Sequence, residues 1–189
     1  MTAEQPFFQI NQLLNIEQLA QLRPVLASTI VDRSIVRPQA QPGTDHAPNW
    51  VLAEVNRELG EIESAVNTSD STHFVATLAG ITVGVMGFRS HQRNADYPAA
   101  HLNPAELLHA HVSAEHQQRG YGGALLGRTI AEATAAGYDE LVVLGGRWER
   151  WGNTGFMRHM FERFTFVEDA HGPQYSPHMW REELSASES

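Results

Sequence analysis

The stretch from Glu106 to Ala124 concentrates the groups of this chain that can do chemistry: two acids, three histidines and a glycine turn. Residues Gln117-Gln118-Arg119-Gly120-Tyr121-Gly122-Gly123-Ala124 run straight into an apolar-periodic helix, and a strand-like run, Leu107 to Val112, precedes them. A strand, a glycine turn and a helix start make an anion site. The turn's backbone N–H groups lack side-chain cover, and the helix dipole adds partial positive charge. A buried charge-assisted hydrogen bond contributes roughly 1.5–3 kcal/mol, so three or four can hold a pyrophosphate without a lysine. The plainer reading is an ordinary strand-to-helix turn. The Gly-x-x-x-x-Gly-Lys-Ser/Thr phosphate loop is absent from the chain. The dinucleotide fingerprint fails at Leu125, which stands at the third glycine position, and Asp139 and Glu140 precede the next strand, Leu141 to Leu144, instead of closing it.

His109 and His111 are two apart and share one face of a regular strand. With His116 they suggest a metal site. A third ligand would have to converge from elsewhere, and no carboxylate or histidine spacing supplies one, so no metal is expected. Either imidazole titrates near neutrality and can relay a proton. Packing, or a solvated strand edge, is the plainer account.

The elements that must position these residues read as follows. Phe7 to Ile10 forms an opening strand; Asn15 caps a helix carrying Ile16, Leu19, Leu22, Leu26 and Ile30, with Pro24 a kink or a break. Arg37 to Pro48 is a loop. From Asn49 a second helix puts Val51, Val55, Leu59, Ile62 and Val66 on one face and ends in the polar stretch Asn67 to Thr72. His73–Leu78 and Ile81–Phe88 flank Ala79-Gly80, a two-residue hairpin signal. Arg89 to Pro104 is a long irregular connection. The glycine-turn helix runs from about Tyr121 to Ala136, burying Leu125, Leu126, Thr129, Ile130 and Ala133, and Gly137 stops it. A strand from Leu141 to Gly145 follows. A loop holding Arg147, Trp148, Arg150 and Trp151 leads to a helix capped at Asn153 or Thr154 and ending near Arg163; the next strand starts at Phe164. The pattern is α/β with a mixed sheet.

Composition narrows the function classes. The chain has 189 residues, a net charge of −9 and no cysteine. Disulfides, thiolate metal sites and a cysteine nucleophile are excluded. The acidic balance argues against a nucleic-acid partner, which needs a basic stripe. It suits a cationic acceptor such as an amine, and generic solubilising charge explains it equally well. No run approaches a membrane span and the amino terminus lacks a secretory pattern, so a cytoplasmic protein with no membrane partner is expected.

Gln117-x-x-Gly120-x-Gly122, between an apolar strand and an amphipathic helix, resembles the Gln/Arg-x-x-Gly-x-Gly/Ala signature of the GNAT superfamily of acyl-CoA-dependent N-acetyltransferases. The order hairpin, strand, glycine turn, helix, strand, helix, strand over about residues 72–184 is similar too, and Met179-Trp180-Arg181-Glu182-Glu183-Leu184 resembles a last GNAT strand. The resemblance implies an α/β GNAT fold, with a mixed central sheet of about six or seven strands flanked by helices and split between the fourth and fifth strands. It implies a single domain over residues 1–184, leaving 185–189 as a disordered tail. Acetyl-CoA is then the co-substrate. Its pyrophosphate is held by the loop amides of Gln118, Arg119, Gly120, Tyr121, Gly122, Gly123 and Ala124, after Gln117. A bulge near His109 to Val112 splays the strands, and pantetheine pairs with the backbone of Ala110 and Val112. Asn153 matches a coenzyme-contacting asparagine within one position, and a helix N-cap is its plainer role.

The same resemblance places a general-base glutamate at Glu106, fourteen positions before Gly120; an exposed strand-opening acid is the plainer reading. The family's Leu-Tyr-Glu-Lys-x-Gly-Phe segment resembles Met160-Phe161-Glu162-Arg163-Phe164-Thr165-Phe166, so Phe161 stands where the thiolate-protonating tyrosine usually does. Tyr175, His178 or solvent must then supply that proton, or turnover is weak. The implied activity is acetyl transfer to a primary amine by direct attack in a ternary complex, the acceptor more readily a small molecule than a protein. The alternative is a catalytically weak or inactive acyl-CoA-binding regulator of the same fold. The tryptophan–arginine loop suits either the acceptor cleft or a subunit contact, compatible with a homodimer.

Overall fold

The computed structural model describes residues 7–35, 49–91, 103–143, 154–169 and 178–182. Strand β1 (Phe8–Gln12) leads through a 3-10 segment (Ile16–Gln21) into α1 (Leu22–Ile35). Asn15 caps that segment: its side chain accepts from the Gln18 N–H at 3.1 Å. Pro24 produces no break after Leu22, because it sits in the first turn of α1, where a missing N–H costs no intrahelical bond. Helix α2 (Asn49–Thr68) precedes the hairpin of β2 (Ser71–Leu78) and β3 (Ile81–Ser90). Ala79 and Gly80 both take positive φ, +50° and +80°, the geometry that tight hairpins demand.

Strand β4 (Pro104–Val112) begins earlier than its apolar run suggests, with proline tolerated as first strand residue. Then come a 3-10 turn (Ala114–His116), α3 (Tyr121–Ala135), β5 (Glu140–Val143), α4 (Thr154–Arg163), β6 (Val167–Asp169) and β7 (His178–Glu182). The strand expected from Phe164 starts only at Val167. Phe164 and Thr165 form the turn that closes α4, with Thr165 at φ +63° and the Phe166 N–H bonded to the Phe161 carbonyl at 3.1 Å.

The strands form one sheet in the order β1-β2-β3-β4-β5-β7-β6. Among the described residues only β4 and β5 pair in parallel, in a register covering Pro104–Glu106 and Glu140–Val142. Helices α1 and α2 cover one face, where Leu22, Leu26, Val51, Val55 and Ile62 pack on Val75 and Val85. Helix α3 covers the other, where the five residues expected to be buried are buried against Phe74, Met86 and Leu107. In α2 the inward face differs from expectation: Glu58 is buried, while Leu59 and Val66 only flank the core. Among the described residues no helix is long and apolar enough to cross a membrane.

Candidate functional site

The site is built around an irregularity in β4. Leu108 pairs with Gly87 and His111 with Val85, so three steps along β4 match two along β3. The extra residue is a β-bulge, and His109 takes φ +50° within it. A non-glycine residue there costs of order 1–3 kcal/mol, which the surrounding packing must hold in place. The bulge re-aims the strand, bringing the His109 and His111 side chains together under α2 on the face that also carries Val75 and Val85. A Cβ on Gly87 would lie 2.4 Å from the His73 ring, so only glycine lets that ring cross β3; the His73 and His109 rings then lie 5.2 Å apart.

Beyond the bulge the chain turns into α3. Gly120 is the N-cap at φ +89°, a conformation that glycine alone adopts without cost, and the first intrahelical bond runs from the Ala124 N–H to the Gly120 carbonyl at 3.0 Å. The earlier N–H groups of the helix have no intrahelical acceptor and point out of its positive end. Gln118, Arg119, Gly120 and Ala124 are exposed, and Tyr121, Gly122 and Gly123 are half-buried. Gln117 ties the turn back to the strand: its Nε2 donates to the Val112 carbonyl at 3.2 Å. Thr29 Oγ1, which donates to the Val25 carbonyl at 2.7 Å, lies 3.3 Å from the same Val112 oxygen. Ala110 is buried against the α3 side of the core.

Glu106 is only 2% exposed. The surface-acid reading therefore fails. Arg89, its neighbour across the β3–β4 ladder, donates from Nε and Nη2 to the same carboxylate oxygen at 3.0 and 2.8 Å. Phe161, in the tyrosine's place, is fully buried and packs on Phe166 with ring centroids 5.0 Å apart. Tyr175 and Asn153 lie outside the described residues, as do the tryptophans and arginines of residues 147–151.

A residue that sequence reasoning missed is Glu58. Its Oε2 lies 2.6 Å from His109 Nδ1 and 3.7 Å from His111 Nε2, and its Oε1 lies 2.6 Å from Arg57. The third group converging on the histidines thus comes from α2, contrary to the expectation that nothing in the chain supplies one. Burial pushes the Glu58 carboxyl up, but the hydrogen bond from His109 and the nearby His111 ring hold it well below the usual carboxylate range. A signal existed in the sequence: Glu58 falls three after Val55 and four before Ile62, on the apolar stripe.

No protein-family model matches the chain, and no curated relative matches it by sequence. Solved structures do. The PaiA N-acetyltransferase of Thermoplasma acidophilum, crystallised with coenzyme A, superposes with a TM-score of 0.67 at 16% identity, over 93% of this chain and 99% of that one. The chain has the GNAT fold. An N-acetyltransferase of Staphylococcus aureus Mu50 gives a TM-score of 0.63 at 17% identity, covering 95% of this chain and 99% of that one. A GNAT family acetyltransferase of Brucella melitensis, in complex with acetyl-CoA, gives 0.55 at 20% identity, covering 93% and 88%. Within the GNAT fold of this chain, the bulge in β4 and the turn at Gly120 are consecutive features of one strand–turn–helix unit.

Proposed function

We propose that this chain is an N-acetyltransferase that moves the acetyl group of acetyl-CoA to a primary amine by direct attack in a ternary complex. One observation carries the reading: the Gly120 turn opens a helix N-terminus at the end of the bulged strand β4. In this reading the amides of Gln118 to Ala124 hold the coenzyme's pyrophosphate, and Gln117 fixes the turn through Val112. Pantetheine is assigned to the backbone of Ala110 and Val112, in the split expected between the fourth and fifth strands. Coenzyme A in the Thermoplasma protein and acetyl-CoA in the Brucella protein support acetyl-CoA as the co-substrate.

An amine of lysine-like pKa, about 10.4, needs roughly 4.6 kcal/mol to lose its proton at pH 7. Glu106 is the proposed base. Arg89 donates twice to one of its oxygens, which fixes the carboxylate at the head of β4. Glu106 takes the ammonium proton, and the neutral nitrogen then bonds the thioester carbon. A strand N–H near the bulge polarises the carbonyl, and the C–S bond breaks as the nitrogen's second proton replaces the one given to the thiolate. Phe161 has no proton to give the thiolate; that role is assigned to Tyr175. Holding both substrates together supplies a large share of the rate.

The burial of Phe161 in the tyrosine's place favours a second reading, a coenzyme-binding regulator without turnover. Thiol release from acetyl-CoA across a panel of amines separates the two. The enzyme reading expects release with at least one amine. It also expects Glu106→Gln to lower the rate about 10²–10⁴-fold with coenzyme A affinity unchanged. Coenzyme A binding with no release on any amine supports the regulator. Absence of coenzyme A binding removes both.

A further inference from the structure

We propose that Glu58, His109 and His111 form a binding site for a divalent transition ion of the zinc class, which would pin α2 to the bulged strand. The donor set is two imidazoles and one carboxylate, a combination suited to zinc and its neighbours and not to magnesium or calcium, which take oxygen ligands. The ligand atoms, His109 Nδ1, His111 Nε2 and a Glu58 carboxylate oxygen, all lie within 4.8 Å of one another. A tetrahedral ion about 2.0–2.1 Å from each donor spaces them by roughly 3.3 Å. The separations of 2.6 and 3.7 Å from Glu58 Oε2 bracket that spacing, so Glu58 must move about 0.7 Å away from His109 and about 0.4 Å toward His111 to admit the ion.

Three further features favour the site. The histidines are 3% and 1% exposed and Glu58 is 8% exposed, so little water competes for the ligands. Arg57 holds the other carboxylate oxygen, which orients Oε2 toward the imidazoles as outer partners of metal ligands commonly do. Arg57 is itself shared with Glu54 and Glu61, so its charge is offset outside the cluster. Finally, the strained backbone at His109 is what brings both imidazoles under one carboxylate. The ligands come from two elements far apart in sequence, and an ion there ties the helical layer to the sheet independently of any coenzyme.

The test is calorimetric titration of the full-length, chelator-stripped protein with zinc chloride, paired with cobalt(II) absorption and thermal unfolding. The expected result is one ion per chain and a cobalt spectrum in the visible range typical of low coordination number. Zinc should raise the unfolding midpoint. Glu58→Gln, which keeps shape, should weaken binding at least about 100-fold and abolish the midpoint shift, beyond the 10–100-fold typical of outer-shell changes. His116→Ala, a histidine outside the cluster, should bind as the parent does. Absence of stoichiometric binding would overturn the proposal. So would binding that survives Glu58→Gln, or binding lost in His116→Ala, since zinc would then sit on surface histidines.

Discussion

Replacing Gly120 by alanine separates the conformational role of the turn from packing. At φ +89°, a Cβ on Gly120 would meet nothing within 4 Å, so no clash contributes. The whole cost is the left-handed backbone, about 1–2 kcal/mol for an L-residue. Gly127 provides the control within the same helix. Its added Cβ would make an ordinary contact with Phe164 at 3.5 Å, and an alanine in a helix interior gains about 0.5–1 kcal/mol over glycine. The two substitutions are identical in chemistry and should differ in stability by about 1.5–3 kcal/mol, with opposite signs. Denaturant unfolding with unchanged slope reads this directly. If the turn amides hold pyrophosphate, Gly120→Ala should also weaken coenzyme A binding by about 10- to 150-fold, one charged hydrogen bond's worth, while Gly127→Ala leaves it unchanged. Equal stability of the two variants would refute the assigned turn geometry.

Three other outcomes follow from the same structure. Phe161→Tyr buries a hydroxyl in a fully enclosed position and should destabilise the protein by about 1–3 kcal/mol without raising thiol release; a gain in release would mean that this side chain reaches the reacting sulfur. Thr165→Gly should stabilise by about 0.5–1 kcal/mol, the relief of a β-branched residue at φ +63° less glycine's entropy, as read by denaturant midpoint. The third concerns acid stability in the metal-free protein. Because the Glu58 carboxyl is held below its ordinary value in the fold, its contribution is complete above about pH 4.3, the ordinary glutamate value. It is lost as pH falls further toward the folded-state value. Unfolding free energy measured from pH 6 to pH 2 should decline more steeply in the parent than in Glu58→Gln, and parallel curves would contradict the assignment.

Much of the fold could be read locally. Asn15, Ala79-Gly80, Gly120 and Gly137 each announce a cap, turn or stop through their own backbone chemistry, and the structure puts each to that use. The five buried positions of α3 follow from periodicity alone. Thr165 reads as strand from its β-branched side chain, but the closure of α4 imposes a left-handed conformation on it. The candidate site was half legible. The glycine turn is contiguous in sequence and so is visible there. The partner of His109 and His111 lies 51 and 53 residues away on another element, and Glu58 in a helix normally reads as a solvated charge. Arg89 escaped for a similar reason: its contact with Glu106 depends on the β3–β4 register, which the bulge shifts. Such pairings are set by topology, which periodicity does not encode.

Backbone amide chemical shifts, recorded as coenzyme A is added to the full-length protein, bear most directly on the idea that the Gly120 turn grips a diphosphate. Saturable changes are expected, largest at Gln118 through Ala124 and extending to Ala110 and Val112, with the Glu58 helix little affected. Saturation without movement at Gln118–Ala124, or no response at all from a folded sample, would contradict it.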